Sequence, residues 1–114
     1  MKKDVAKKWV AALRSGKYNK GKGQLQVLDT YCCLGVLCKI APRTIKKHKH
    51  PDNTLIGGDL LSQPEVHTWS GMNKFAIYAL SLSGMALLRL IDMNDSQDNF
   101  DKIAAFIEKH WEAL

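Results

Sequence analysis

Apolar residues recur at helical spacing at both ends of this 114-residue chain, and those two stripes limit what it can fold into more than any other feature. Val5, Ala6, Trp9, Val10 and Leu13 share one face of a helix predicted from Lys3 to Ser15, with Lys2, Lys3, Lys7, Lys8 and Arg14 elsewhere on the wheel. Phe100, Ile103, Ala104, Ile107 and Trp111 fall at i, i+3, i+4, i+7 and i+11 of a last helix. Asp98 is its expected N-cap, and Asp101 sits near the positive end of its dipole. Each stripe must be buried. A chain of this length buries about two-thirds of its unfolded surface, enough for roughly 5–15 kcal/mol of net stability without covalent staples. One domain over residues 1–114 is the expectation.

Between the stripes the punctuation is dense. Gly16 supplies the left-handed residue that commonly closes a helix, and residues 16–24, with three glycines and three lysines, read as a loop. Leu25 to Leu28 predicts a short strand, Asp29-Thr30 a turn, and Tyr31 and Cys32 the return arm. Cys33 to Ala41, stopped by Pro42, predicts a buried helix in which Leu34, Leu37, Cys38 and Ala41 share a face. Gly35 costs it about 1 kcal/mol against Ala. Farther on, short strands are predicted around Thr44-Ile45 and at Thr54 to Ile56, and one or two helical turns from Pro64 to Gly71. Residues 73–82 mix strand and helix signals. A helix from Gly84 to Met93 ends at Asn94-Asp95, which with Ser96 reads as a short polar linker capping the next helix. The fold class is therefore α+β: a compact single domain, mostly helical, with three to five helices and a small antiparallel β element of two to four short strands.

Charge is distributed unevenly. Residues 1–50 carry 13 Lys/Arg against 2 Asp/Glu, whereas residues 51–114 carry 4 against 9, so the net +6 conceals a strongly basic N-terminal half. Such a field attracts phosphates, nucleic acid or an acidic protein. Cys32, Cys33 and Cys38 cannot all pair within one chain, no apolar leader follows Met1-Lys2-Lys3, and apolar runs stop well short of about 18 residues. A cytoplasmic protein that does not meet a membrane is the expectation.

Several constellations deserve a chemical reading. Gly16-x-x-x-x-Gly21-Lys22 nearly spells a triphosphate-binding loop. That loop must follow a strand, open a helix and end in Ser or Thr, whereas here a helix precedes it and Gly23 stands where the hydroxyl belongs. The residue is a more general anion site: backbone amides around Gly21 and Gly23, with Arg14, Lys17, Lys20 and Lys22 adding charge, and Tyr18 or Trp69 available to stack on a base. Cys32 or Cys33, at the start of a predicted helix, is an alternative thiol nucleophile with His67 or His110 as base. Cys33, Cys38, His48 and His50 match no standard zinc spacing, so neither metal nor cofactor is expected. Lys46 to His50 offers non-specific contact to nucleic-acid phosphates.

Trp9-Val10-x-Ala12-Leu13-Arg14-Ser15-Gly16-x-Tyr18, Gly21-x-Gly23-x-Leu25, the run Tyr31-Cys32-Cys33-Leu34-Gly35-Val36-Leu37-Cys38, and Asn94-Asp95 followed by Phe100, Ile103, Ala104, Ile107 and Glu108 together resemble a family of small tailed-phage proteins. The resemblance covers both ends and is thin from about Ala41 to Gly84. It implies a phage accessory protein, acting in the host cytosol, and brings no activity with it. Phage accessory proteins of this size and charge often act against a host defence. The leading functional expectation is thus non-catalytic sequestration of an anionic, nucleotide-type ligand. The alternatives are a protein–protein inhibitor using the basic face against an acidic host protein, and a small hydrolase with a Cys32 or Cys33 nucleophile. Homo-oligomerisation is left open.

Overall fold

The computed structural model of the protein describes residues 1–73, 82–96 and 98–114. Among these residues five α-helices and one small sheet follow in the order α1 (Lys3–Arg14), β1 (Asn19–Lys20), β2 (Gln26–Val27), β3 (Thr30–Tyr31), α2 (Cys33–Ile40), α3 (Pro64–Ser70), α4 (Leu82–Asp95) and α5 (Phe100–His110). Short 3-10 turns lie at Leu60–Ser62 and Trp111–Ala113. The class is α+β and mostly helical, as its pattern predicts. Residues 74–81, most of the undecided stretch 73–82, lie outside the described residues.

α1 buries Val5, Ala6, Trp9, Val10 and Leu13, the predicted stripe, and the chain then turns at Gly16, whose φ is +76°. An L-residue held there pays roughly 1–2 kcal/mol for crowding its Cβ against the following carbonyl, and glycine pays nothing comparable. α1 packs against both α5 and α2, and α4 packs against α5. The two terminal stripes therefore share one core, in which Trp9, Leu25, Val36, Leu37, Leu90, Ile103 and Ile107 are fully buried. Trp9 also ties two elements together, because its Nε1–H donates to Cys33 O at 2.8 Å.

α2 starts at Cys33 and its C-cap is Ala41, immediately before Pro42. Its residues Cys33 to Cys38 are all buried. The β2–β3 hairpin lies directly on it: a Cβ at Gly35 would stand 1.9 Å from Leu25 O. Gly35 is the gap through which the hairpin backbone approaches the helix.

The sheet has the order β1-β3-β2. β2 and β3 form the predicted antiparallel hairpin, Gln26 opposite Tyr31 and Val27 opposite Thr30. β1 differs from expectation, since it pairs with β3 in parallel, Asn19 with Thr30 and Lys20 with Tyr31, making the sheet mixed rather than antiparallel. The loop after Lys20 carries the chain around to the far edge of β3, so the incoming strand meets the free edge in the same direction. Nothing in the polar sequence of β1 alternates, which hides it from pattern reading.

Five further expectations are corrected. Thr44-Ile45 is not a strand: the chain turns after Pro42, and Ile45 N–H donates back to Pro42 O at 2.9 Å. Thr54 to Ile56 contributes one isolated antiparallel bridge, Leu55 with Lys49, and no strand. α5 is capped by Asn99, whose Oδ1 accepts from Lys102 N–H at 2.9 Å, while Asp98 instead faces Lys102 Nζ at 3.6 Å. Asn94 and Asp95 are not linker but the last turn of α4. Trp111, placed on the core stripe by its spacing, is only partly buried, because α5 gives way to a 3-10 turn at that residue.

A buried amide helps to hold the segment between α2 and α3. Gln63 is fully buried, its Oε1 accepts from His48 N–H at 2.8 Å, and its Nε2 donates to His48 O at 2.7 Å and Ile56 O at 3.0 Å. All the amide's main hydrogen-bonding directions are thus used to pin the basic segment to the start of α3. Among the described residues no helix is long and apolar enough to cross a membrane.

Candidate functional site

The residues singled out around the glycine loop divide sharply once their partners are known. Gly21 N–H donates to Tyr31 O at 2.7 Å and Gly23 N–H donates to Asp95 Oδ1 at 3.1 Å, so both amides of the expected anion nest are taken up within the chain. Lys20 Nζ donates to the carbonyls of Asn94 and Ser96, where a cation stabilises the exposed C-terminal carbonyls of α4. Arg14 pairs with Glu108 across α1 and α5, both side chains being substantially exposed, an arrangement worth little to stability. Lys17 and Lys22 remain exposed, and neither side chain has an ion pair or hydrogen bond among the described residues.

The organising group is Asn94, which is buried although polar. Its Oδ1 accepts from Cys33 N–H at 2.8 Å, at the first turn of α2, and its Nδ2 donates to Gly21 O at 3.3 Å. One amide thereby joins the end of α4, the start of α2 and the glycine loop. Asp95 completes the clamp through Gly23. The pair was legible only in part: Leu87, Leu90, Ile91 and Asn94 stand at i, i+3, i+4 and i+7, so a polar residue on a core stripe was the available signal. Replacing Asn94 with Ala leaves the Cys33 amide without its acceptor in a buried site. Chemical denaturation is expected to show a loss of about 2 kcal/mol, with faster proteolysis within residues 16–24.

Between these parts lies a cavity of about 30 Å³ lined by Gly23, Cys32, Cys33, Leu34, Gly58, Ile91, Asn94 and Asp95. It has room for water but not for a small-molecule ligand. Cys32 and Cys33 face it, but both are buried, and burial pushes both thiols above the ordinary value, Cys33 well above it. Cys38 is driven to about 12 by the same cause. A nucleophilic cysteine needs the opposite shift. His67 is buried in α3 and does not line this cavity, while His110 stacks near Phe106 at the end of α5, ring centroids 4.5 Å apart. Native protein at pH 8 is expected to react with iodoacetamide slowly at all three thiols, and quickly once denatured. Rapid single-site labelling of the native fold would restore the nucleophile.

The aromatic partners are also redistributed. Trp69 lines an open hollow of about 520 Å³ with Lys2, Ile45, Pro64, Glu65 and Thr68, beside the start of α1. α1 has 12 residues and so a length of about 18 Å, and the glycine loop follows its far end. Trp69 is therefore not brought to the loop. Tyr18 is, and it meets Tyr31 edge to face, with ring centroids 5.6 Å apart and planes at 87°. Both rings are half-buried, and Tyr31 was missing from the candidates because it reads as a plain strand residue. Burial, aided by Tyr18 and Asp29, raises the Tyr31 phenol above its usual value, so it stays a neutral donor at physiological pH. Among the described residues no three His, Cys, Asp or Glu side chains converge as a metal site would require.

What the loop presents outward is thus an aromatic pair flanked by two unpaired lysines, over a scaffold locked by Asn94 and Asp95. No curated protein and no solved structure matches the chain. Over residues 1–111 it matches the family described as a domain of unknown function (DUF8296), and the chain belongs to that family.

Proposed function

We propose that this protein works by binding rather than by catalysis, and that its ligand is anionic and nucleotide-like, held on the outer face of the glycine loop. The observation that carries this reading is the Tyr18–Tyr31 pair beside Lys17 and Lys22: ring surface for a base next to cations with no internal partner. The buried, proton-retaining thiols support the non-catalytic half of the reading. In the context implied by the resemblance to tailed-phage proteins, such binding sequesters a host nucleotide and so counters a defence. Calorimetry against linear and cyclic nucleotides tests it. At least one should bind tighter than about millimolar, and Lys17→Glu with Lys22→Glu should weaken it about tenfold. No binding by any of them removes the proposal.

A second reading, inhibition of a host protein, has one observation of its own, at an apolar hairpin tip rather than on the basic face. Val27 and Leu28 form the hairpin tip at 49% and 79% exposure, and Leu28 holds a φ of +54°, costly for a branched side chain. Two adjacent exposed apolar side chains at the tip offer a protein partner an apolar contact. Pull-down of a host protein that survives Lys17→Glu with Lys22→Glu but is lost with Leu28→Asp would favour this reading over the first.

A further inference from the structure

We infer that the ligand of this face is a single strand of nucleic acid, its bases meeting Tyr18 and Tyr31 and its backbone running on over Lys39 to the basic end of α2. The inference rests on the binding reading above and sharpens the class of ligand.

Volume is the first reason. Pockets that enclose a small molecule measure about 300–1,000 Å³, whereas the cavity beneath the glycine loop holds about 30 Å³ and is lined by none of Lys17, Tyr18, Lys22 and Tyr31. A lone mononucleotide would lie on an open surface with few groups around it. A strand, in contrast, gains affinity by adding contacts along its length.

Continuity is the second. From the Tyr18–Tyr31 pair the next group is Lys39, whose Nζ stands 6.0 Å from the Tyr31 ring centroid. Lys39 lies in the last turn of α2, and Lys47 Nζ donates to Ala41 O at 2.7 Å and Pro42 O at 2.9 Å, fastening the basic segment to that same helix end. Lys47 is lowered from its usual value chiefly by burial, with smaller contributions in the same direction from Lys49 and Lys39. Lys39 over the Tyr31 ring and Lys47 on the carbonyls that follow α2 thus lead from the aromatic pair toward the basic segment.

Charge is the third. Folding gains nothing from crowding like charges, and a polyanion that releases its counterions gains a great deal. Among the described residues the acidic groups beside these segments are Asp29 near Tyr31, Asp52 near His50, Asp95, taken up by Gly23 N–H at 3.1 Å, and Glu65, held by His48 Nε2 at 2.8 Å. Half-buried ring surface suits unpaired bases, since every base offers a stacking face while a duplex hides its own.

Fluorescence anisotropy and calorimetry with three probes test the inference: thymidine monophosphate, an eight-residue oligothymidylate, and an eight-base-pair duplex. The oligothymidylate should bind at least about tenfold tighter than the monophosphate and tighter than the duplex. Its affinity should fall with salt by a log–log slope of roughly −0.7 per phosphate contacted. Lys49→Glu, an exposed change whose fold is checked by circular dichroism, should weaken the oligothymidylate about threefold to fivefold and leave the monophosphate unchanged. Equal affinity for monophosphate and oligothymidylate overturns the strand while leaving the nucleotide reading intact. Equal or tighter duplex binding overturns the single-strand preference. Indifference to Lys49→Glu overturns the path along α2, and failure of all three probes to bind removes this inference, while the reading beneath it falls only if the linear and cyclic nucleotides fail as well.

Discussion

Replacing Trp9 with Ala is expected to lower the free energy of unfolding by about 4–5 kcal/mol, close to the whole stability of a small domain. Trp9 is fully buried at the point where α1 meets the start of α2, and it contributes both its ring and the hydrogen bond from Nε1 to Cys33 O. Truncation empties the largest side-chain volume in the core, and the surrounding helices close the space only in part. Trp9→Phe separates the two contributions: most of the ring area stays, the hydrogen bond goes, and the loss should be about 1–2 kcal/mol. Trp111→Ala is the useful contrast. Its helical spacing matches that of a core residue, but the 3-10 turn leaves it partly exposed, and its removal should cost only about 1–2 kcal/mol. Urea denaturation of the three variants checks the ranking, and a Trp111→Ala loss equal to that of Trp9→Ala would mean the end of α5 is packed more tightly than described.

Gly35→Ala should also destabilise, by about 3 kcal/mol or more, and here the sign itself is the test. Helix propensity alone favours Ala over Gly by about 1 kcal/mol, so a reading confined to α2 expects the change to help. The added methyl would stand 1.9 Å from Leu25 O and 2.8 Å from Leu25 C. Those are backbone atoms, and they cannot rotate away as a side chain would. The hairpin and helix must separate, with loss of the packing of Leu25 against α2. Thermal or urea denaturation reads the outcome. A neutral or stabilised Gly35→Ala protein would show that the hairpin does not lie on the helix.

These two positions show how far the chain could be read from its residues. Trp9 was assigned to a core by its place in the stripe of α1, and α5 was assigned by the same periodicity. Gly35 was legible only as a cost, because its purpose lies in a hairpin that precedes it in the chain. The candidate site follows the same division. Lys17, Tyr18 and Lys22 were named from local composition, and they remain outward-facing. Lys20, Gly21 and Gly23 were named on the same grounds and turn out to serve the fold, because their partners Tyr31, Asn94, Asp95 and Ser96 are distant in sequence. Tyr31 and Lys39 are not among the site residues that the sequence points to, since neither is unusual until Tyr18 is beside one and that ring is beside the other.

By itself the sequence determined the helices, the closure of α1 at Gly16, the hairpin after the glycine loop and the basic bias of the N-terminal half. Each of these depends on residues near one another along the chain, through helical period, turn chemistry or summed charge. Only the tertiary structure decided which cations and amides are left for a ligand. A hydrogen-bonding group has a limited number of partners, and whether Gly23 N–H meets Asp95 or an outside anion depends on the packing of α4 against the loop, which no local pattern encodes.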